Sequence, residues 1–538
     1  MSDAQNQRRG AFGRFLDIVE RLGNLLPHPV TLFALLGLVT LVLSAIAASF
    51  GLEVPDPRAN APEGATIAAR NLLDPAGLRQ IATGLVSNFT GFAPLGTVLV
   101  AMLGVGVAER SGLLGAAIRA LVLGAPRNLL TAAVVFSAVL SNTASEMGYV
   151  VLIPLAAIVF HSVGRHPIAG LAAAFAGVSG GYSANLLIGT VDPLLAGITT
   201  EAAALIDPGY AATTVDGVIV RAKEVQATAN WFFMSISTVM ITLVGTWVTT
   251  RIVEPKLGEY DPTGQDTEAV DQTGDMGPLR DEERRGLRAA GIALLVMTAI
   301  VAAMSIPADG WMRDPAENKT TIQDLRPLLR SVVTLIFVGF SVLGFVYGRT
   351  SGTMRTDRDI ITGMSKAMSS MGLYMVLVFF AAQMVAFFKW SELGPITAVL
   401  GADFLQSIGL TGPLVFLPFI LMCCFVNLML GSASAQWAMT APIFVPMLMQ
   451  LGYTPEVIQA AYRIGDSTTN TITPMMSYFG LILAFAHRWD KRLGIGTIVA
   501  TMIPYSIAFL VGWMILFYAW VFGLGLPVGP GAPTYISG

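Results

Sequence analysis

Hydrophobic positions along this chain come in long runs rather than in short alternation. Nine runs hold the ~20 mostly apolar residues that cross a bilayer as a helix. They are Pro29–Ala48, Val86–Val107, Ile168–Thr190, Trp231–Val253, Leu287–Ile306, Leu328–Tyr347, Ile361–Phe388, Val457–Ala486 and Gly494–Gly523. Two further apolar stretches, Asn128–Phe160 and Gly412–Leu451, are each divided near the middle by a polar break. The breaks read Ser141-Asn-Thr-Ala-Ser-Glu-Met-Gly148 and Gly431-Ser-Ala-Ser-Ala-Gln-Trp437. Each half is short for a spanning helix, so both stretches predict re-entrant helical hairpins with their tips inside the protein.

Two of the nine runs are themselves interrupted. Residues 168–193 carry Gly177-Val-Ser-Gly-Gly-Tyr-Ser-Ala-Asn-Leu-Leu-Ile-Gly-Thr-Val-Asp-Pro193, and 457–486 carry Arg463-Ile-Gly-Asp-Ser-Thr-Thr-Asn-Thr-Ile-Thr-Pro474. Arg463 and Asp466, three residues apart, share a helix face and are expected to pair. Gly465 weakens the helix, Pro474 removes a backbone donor, and the hydroxyls and amides of Ser467–Thr471 lie between them. Broken backbone and ionisable groups at membrane depth are tolerated only against protein or a water-filled cavity. Each half of the chain thus has a split hairpin followed by a broken helix. The halves are expected to be inverted repeats with a transport site at their junction. They cover 1–253 and 287–538, joined by an acidic, Gly/Pro-punctuated linker over 254–286.

Composition agrees with an all-α polytopic membrane protein: 538 residues, 54% hydrophobic and only 12% charged. Most of the 32 Lys and Arg fall in loops on one side, before the first span and around 110–127, 251–288, 349–366 and 488–492, which puts those loops and the N-terminus in the cytoplasm. An odd number of spans then leaves the C-terminus outside. A net charge of −3 argues against a nucleic-acid partner. Cys423 and Cys424 are adjacent, with no spacing suited to a metal. No metal-ligand histidine cluster, nucleophile–base pattern or phosphate-binding glycine loop points to an enzyme.

At the two hairpin breaks and the two broken helices the chain resembles the AbgT family of p-aminobenzoyl-glutamate transporters, which includes exporters of sulfonamide antimetabolites. The matching words are Ser141–Ala156, Gly181–Asp192, Gly431–Trp437 and Tyr462–Asn470, in both halves and in the expected order. The resemblance implies a homodimer of nine-span protomers with two hairpins each, in the bacterial inner membrane. Carried over by position, the functional residues fall on Asp192, Asn427, Ser434, Trp437, Pro455, Arg463 and Asp466. It leaves direction and coupling ion open.

The expected roles are those the resemblance implies, read with the chemistry of each side chain. Arg463 holds the anionic end of the substrate, and Trp437 stacks on its ring. Ser141, Asn142, Ser434, Pro455 and Asn470 complete the substrate site. Asp192 and Asp466 carry a coupling proton or help to bind Na+, with Asn185 and Asn427 as further oxygen donors. The sodium position is expected near Asp192, Asn427 and Asp466, and no prosthetic group is expected. Hairpin tips rich in Ser and Asn also cap helix ends, and Trp437 also suits plain packing. A sodium-coupled dicarboxylate symporter is the nearest alternative function, and a channel a remote one.

Overall fold

The computed structural model describes residues 27–58, 61–144, 148–215, 218–258, 278–314, 324–476, 478–491 and 493–536. Those residues are almost entirely helical, with two short antiparallel strand pairs, Glu53–Pro55 with Thr66–Ala68 and Thr213–Val215 with Val218–Val220. Among the described residues, eight helices are long and apolar enough to cross a membrane, or nine if the pair Leu113–Leu123 and Arg127–Ser141, bent by 113°, is one span.

Helices used below are α1 (Pro29–Ser49), α2 (Pro75–Thr90), α3 (Ala93–Ser111), α4 (Leu113–Leu123), α5 (Leu130–Ser141), α6 (Ile153–Ser162), α7 (Pro167–Phe175) and α8 (Val191–Ala203). They continue with α9 (Trp231–Val248), carried on to Leu257 as part of a 27-residue span, α10 (Asp281–Ser305), α11 (Val332–Ser351), α12 (Asp357–Ser370) and α13 (Gly372–Trp390). The last are α14 (Leu393–Ser407), α15 (Phe416–Leu430), α16 (Ala433–Gln450), α17 (Pro455–Thr468), α18 (Phe479–Trp489) and α19 (Ile495–Phe517).

Both hairpins return to where they start. Thr131, at the head of α5, accepts a 2.8 Å hydrogen bond from Arg165, which follows α6. Thr411, ahead of α15, accepts one of 3.3 Å from Tyr453, which follows α16. The arm Pro413–Leu430 is long enough by itself to span, yet this contact shows the chain turning back. The two bases lie at opposite ends of α9. Its N-terminal neighbour Asn230 donates to the Glu456 carbonyl at 2.8 Å, beside the base of the second hairpin. Its far end, Glu254, takes a two-pronged contact from Arg165 at 2.8 and 2.6 Å, at the base of the first. A 27-residue helix is about 40 Å long, so the hairpins enter from opposite sides.

The inverted relation is visible in single contacts. Asn142, at the end of α5, reaches the Gly181 carbonyl, and Asn427, near the end of α15, reaches the Asp466 carbonyl; both contacts span 39 residues of chain. The broken helices match in kind. α7 ends in a π turn at Gly180 and the chain resumes as α8, while α17 ends at Thr468 and resumes as α18.

Several boundaries differ from the sequence expectations. The run Ile361–Phe388 is two helices, because the polar face of α12 (Arg358, Lys366, Ser369) ends before Gly372, where the mostly apolar α13 begins. α12 docks on α3, where Gly106 and Gly363 approach so closely that a Cβ on either would lie 2.8 Å from the other's carbonyl oxygen. The first broken helix extends past Thr190 to Ala203, and α10 starts at Asp281, inside the expected linker, with Asp281, Glu282 and Glu283 in its first turn. Acidic residues favour that end of a helix. The rest of the linker, 259–277, lies outside the described residues, as do Ser145, Glu146 and Met147 of the first tip.

Candidate functional site

The helix of the second half does not stop at Gly465. α17 runs through it to Thr468, and Gly465 serves close approach instead: a Cβ there would run into Cys423 and lie 2.7 Å from the Ile420 carbonyl oxygen. α15 thereby lies against the face of α17 that carries Asp466. The break proper begins at Thr469 and contains Pro474.

Arg463 does not pair with Asp466. Its Nη2 donates to Asp192 Oδ1 at 2.5 Å, bridging the two halves, and its Nη1 points at the Met234 sulfur at 3.3 Å. Asp192 is not a solvated helix end. It sits in the first turn of α8, 3% exposed, and its Oδ2 accepts from the Gly189 N–H at 2.7 Å. A dry ion pair of this kind strands a charge if either partner is lost. Asp466 is fully buried, and neither of its carboxylate oxygens receives a hydrogen bond.

Around Asp466 the amide nitrogen of Asn427 reaches the Asp466 carbonyl (2.6 Å), Thr469 Oγ1 (2.9 Å) and Asn470 Oδ1 (2.8 Å). Asn427 Oδ1, both Asp466 oxygens and Thr471 Oγ1 are buried without a partner. Buried polar atoms are rarely left so. The oxygens of Asn427 and Asp466, residues joined by the 2.6 Å contact, suit a hard monovalent cation or a proton, and unwound helix segments supply such donors in other transporters. Each oxygen of Asp192 already accepts one hydrogen bond, from Arg463 and from the Gly189 N–H. Asn185 is likewise engaged, with Thr143 at 2.8 Å and the Leu187 N–H at 3.2 Å, and braces the first tip.

A pocket of about 240 Å³ opens where the two tips and the two breaks meet. The first half lends Asn142, Tyr149, Tyr182, Val191 and Leu194; the second lends Gly431–Ser434, Asn470, Met476 and Tyr478. Gly431 needs its positive φ of 57° and has the Met475 carbonyl against its bare face. Ser141 stands behind this wall, donating to the Ala138 carbonyl at 2.6 Å and packed against Gly148, where a side chain would overlap its hydroxyl. Asn142 keeps its Oδ1 unpartnered.

Arg463 and Ser141 do not line this pocket, and two further expected substrate contacts, Trp437 and Pro455, are also elsewhere. Trp437 is fully buried; one face lies on Tyr462, 4.2 Å between centroids, and its indole N–H donates to Thr199 at 2.9 Å, so it offers no ring to the pocket. Pro455 begins α17, roughly 16 Å along the axis from Asp466. The aromatic wall is instead Tyr149 and Tyr478, stacked at 4.7 Å and 6°. The Tyr149 hydroxyl meets Ser179 Oγ at 3.3 Å. The sequence gives one cue to them: both lie within two residues of a break, at Gly148 and Met476.

A family model described as the AbgT putative transporter family matches residues 14–536. The chain is 38% identical over 525 residues to the p-aminobenzoyl-glutamate transport protein of Escherichia coli (strain K12), covering 98% of each chain. It superposes on the Neisseria gonorrhoeae MtrF structure, described within a class of antimetabolite efflux pumps, with a TM-score of 0.87 at 54% identity, covering 97% of this chain and all of that one. The crystal structure of the Alcanivorax borkumensis YdaH transporter gives 0.83 at 43% identity, covering 94% of this chain and all of that one.

Proposed function

The chain belongs to the AbgT putative transporter family, and from that premise we propose that it is a secondary active transporter of p-aminobenzoyl-glutamate or related aryl-amide and sulfonamide antimetabolites. It is a multi-pass membrane protein, and its relatives are named as transport proteins rather than enzymes. The proposal places it in the bacterial inner membrane as a homodimer, driven by a proton or sodium gradient.

The observation that carries this reading is the single pocket shared by both hairpin tips and both helix breaks. Because the hairpins enter from opposite sides, such a pocket can face either side as one half moves against the other. The substrate's aryl ring would lie on the Tyr149–Tyr478 stack, which continues an offset aromatic column. Its amide and carboxylates would meet Asn142, Ser432, Ser434 and Asn470. Arg463 acts from beneath, holding Asp192 in place, and becomes available to an anion when that pair opens. Asp466, with Asn427 beside it, would take the coupling ion; a buried carboxylate can load and release a proton or Na+ as access changes sides.

Exchange in proteoliposomes tests the substrate class. Labelled p-aminobenzoyl-glutamate inside should exchange against the same compound outside and not against succinate. Efficient exchange against succinate would instead make the protein a dicarboxylate carrier.

A further inference from the structure

The buried polar groups of α8 and α17 extend beyond the ion pair. Thr199 lies two turns along α8 from Asp192, and Gln459 one turn along α17 from Arg463, so each pair shares a helix face. Thr199 and Gln459 meet at 2.5 Å, a second rung between the halves. Both side chains are at most 1% exposed.

The directions of these hydrogen bonds are fixed from the two ends, the Trp437 indole that only donates and the Glu456 carbonyl that only accepts. The Trp437 indole N–H can only donate, so Thr199 Oγ1 accepts at 2.9 Å. The Thr199 proton is shared between the Leu195 carbonyl at 2.8 Å and Gln459 Oε1, and Gln459 Nε2 donates to Asn230 Oδ1 at 2.8 Å. Asn230 Nδ2 finally donates to the Glu456 carbonyl at 2.8 Å. This relay ties α16, α8 and α17 together with the start of α9.

Hairpin 2 is the element the relay holds to the first half. Trp437 lies one turn from the tip; Tyr462, beneath the indole, donates to the Ala433 carbonyl in the tip at 2.6 Å. The Tyr462 contact stays within the second half, whereas the Thr199 contact crosses to the first. Any movement of the second tip relative to the first half must break or carry that crossing bond.

We propose that Thr199, Gln459 and Asn230 are positioning residues which, through Trp437, latch the second hairpin tip to the first half and set how readily the pocket changes state. Nothing in this assigns them a contact with substrate. The latch rests on the transporter reading only where turnover is measured.

The decisive experiment needs no substrate. In protein lacking Cys423 and Cys424, Ser434→Cys places a thiol on the half-buried tip, and its labelling by an impermeant maleimide is timed in proteoliposomes. Thr199→Val should speed labelling by at least about fivefold, a buried hydrogen bond having been lost, while Thr199→Ser keeps the parent rate. Gln459→Met, close to isosteric, should match Thr199→Val and replaces it should the valine variant not fold. The two together should be no faster than either alone, since they break one relay. Parent rates in both variants, or effects that multiply, would overturn the latch. In transport of p-aminobenzoyl-glutamate the same variants should lose about tenfold in turnover with KM within about twofold. A failure of the substrate assignment would leave the labelling result standing.

Discussion

Asp192 and Arg463 stand 271 residues apart in sequence and 2.5 Å apart in the fold, a bond of full charges that joins the two broken helices. Removing one member leaves the other buried and unpaired, which costs about 3–5 kcal/mol. Asp192→Asn and Arg463→Gln should each lower the melting temperature of the purified protein markedly. The double variant should recover most of that stability, since no lone charge remains, yet should not transport. Additive losses in the double variant would show that the two charges do not depend on each other.

The proposed aryl contact is the Tyr149–Tyr478 stack. Tyr478→Leu should raise KM for p-aminobenzoyl-glutamate by about two- to tenfold, the range of one lost aromatic contact. Trp437→Phe should leave KM nearly unchanged and act on turnover. The opposite pattern in steady-state transport would restore Trp437 as the ring contact.

Close packing at Gly465 gives a stability test. Gly465→Ala pushes into Cys423 and the Ile420 carbonyl and should destabilise by about 1–3 kcal/mol, as overpacking does. Gly496→Ala, in α19 with nothing within 4 Å, should be neutral. Thermal unfolding of the two variants side by side checks this. Equal melting temperatures would mean α15 and α17 are not in close contact.

The hairpin bases can be placed by single cysteines in the Cys423/Cys424-free background. Positions 125 and 164 flank the first hairpin, and 409 and 452 the second. Impermeant reagents should modify Ala125→Cys and Gly164→Cys from one side of the membrane only, and Gly409→Cys and Gly452→Cys from the other. Labelling of the first two from opposite faces would make that hairpin a span.

Both hairpins were legible in the sequence because a polar break inside an apolar run has few physical explanations at membrane depth. The partners of single residues were not. Arg463 reads as pairing with Asp466 by helix spacing alone, because its true partner depends on how two distant helices cross. Trp437 reads as a pocket residue because it is one turn from the tip, and spacing does not say which way the ring points once Tyr462 covers it. Tyr149 and Tyr478 receive no role from the sequence, since an aromatic ring near an apolar run looks the same whether it packs or lines a pocket. Gly465 reads as a helix weakener, and only the neighbouring Cys423 shows it as a contact surface.

Secondary active transport through the shared pocket is tested most directly by concentrative movement in proteoliposomes. Labelled p-aminobenzoyl-glutamate starts equal on both sides, and a proton or a sodium gradient is imposed separately. One of the two gradients should drive the label above equality on one side, and Asp466→Asn should abolish that rise while exchange at equal concentrations survives. Label that stays at equality under both gradients would contradict the account.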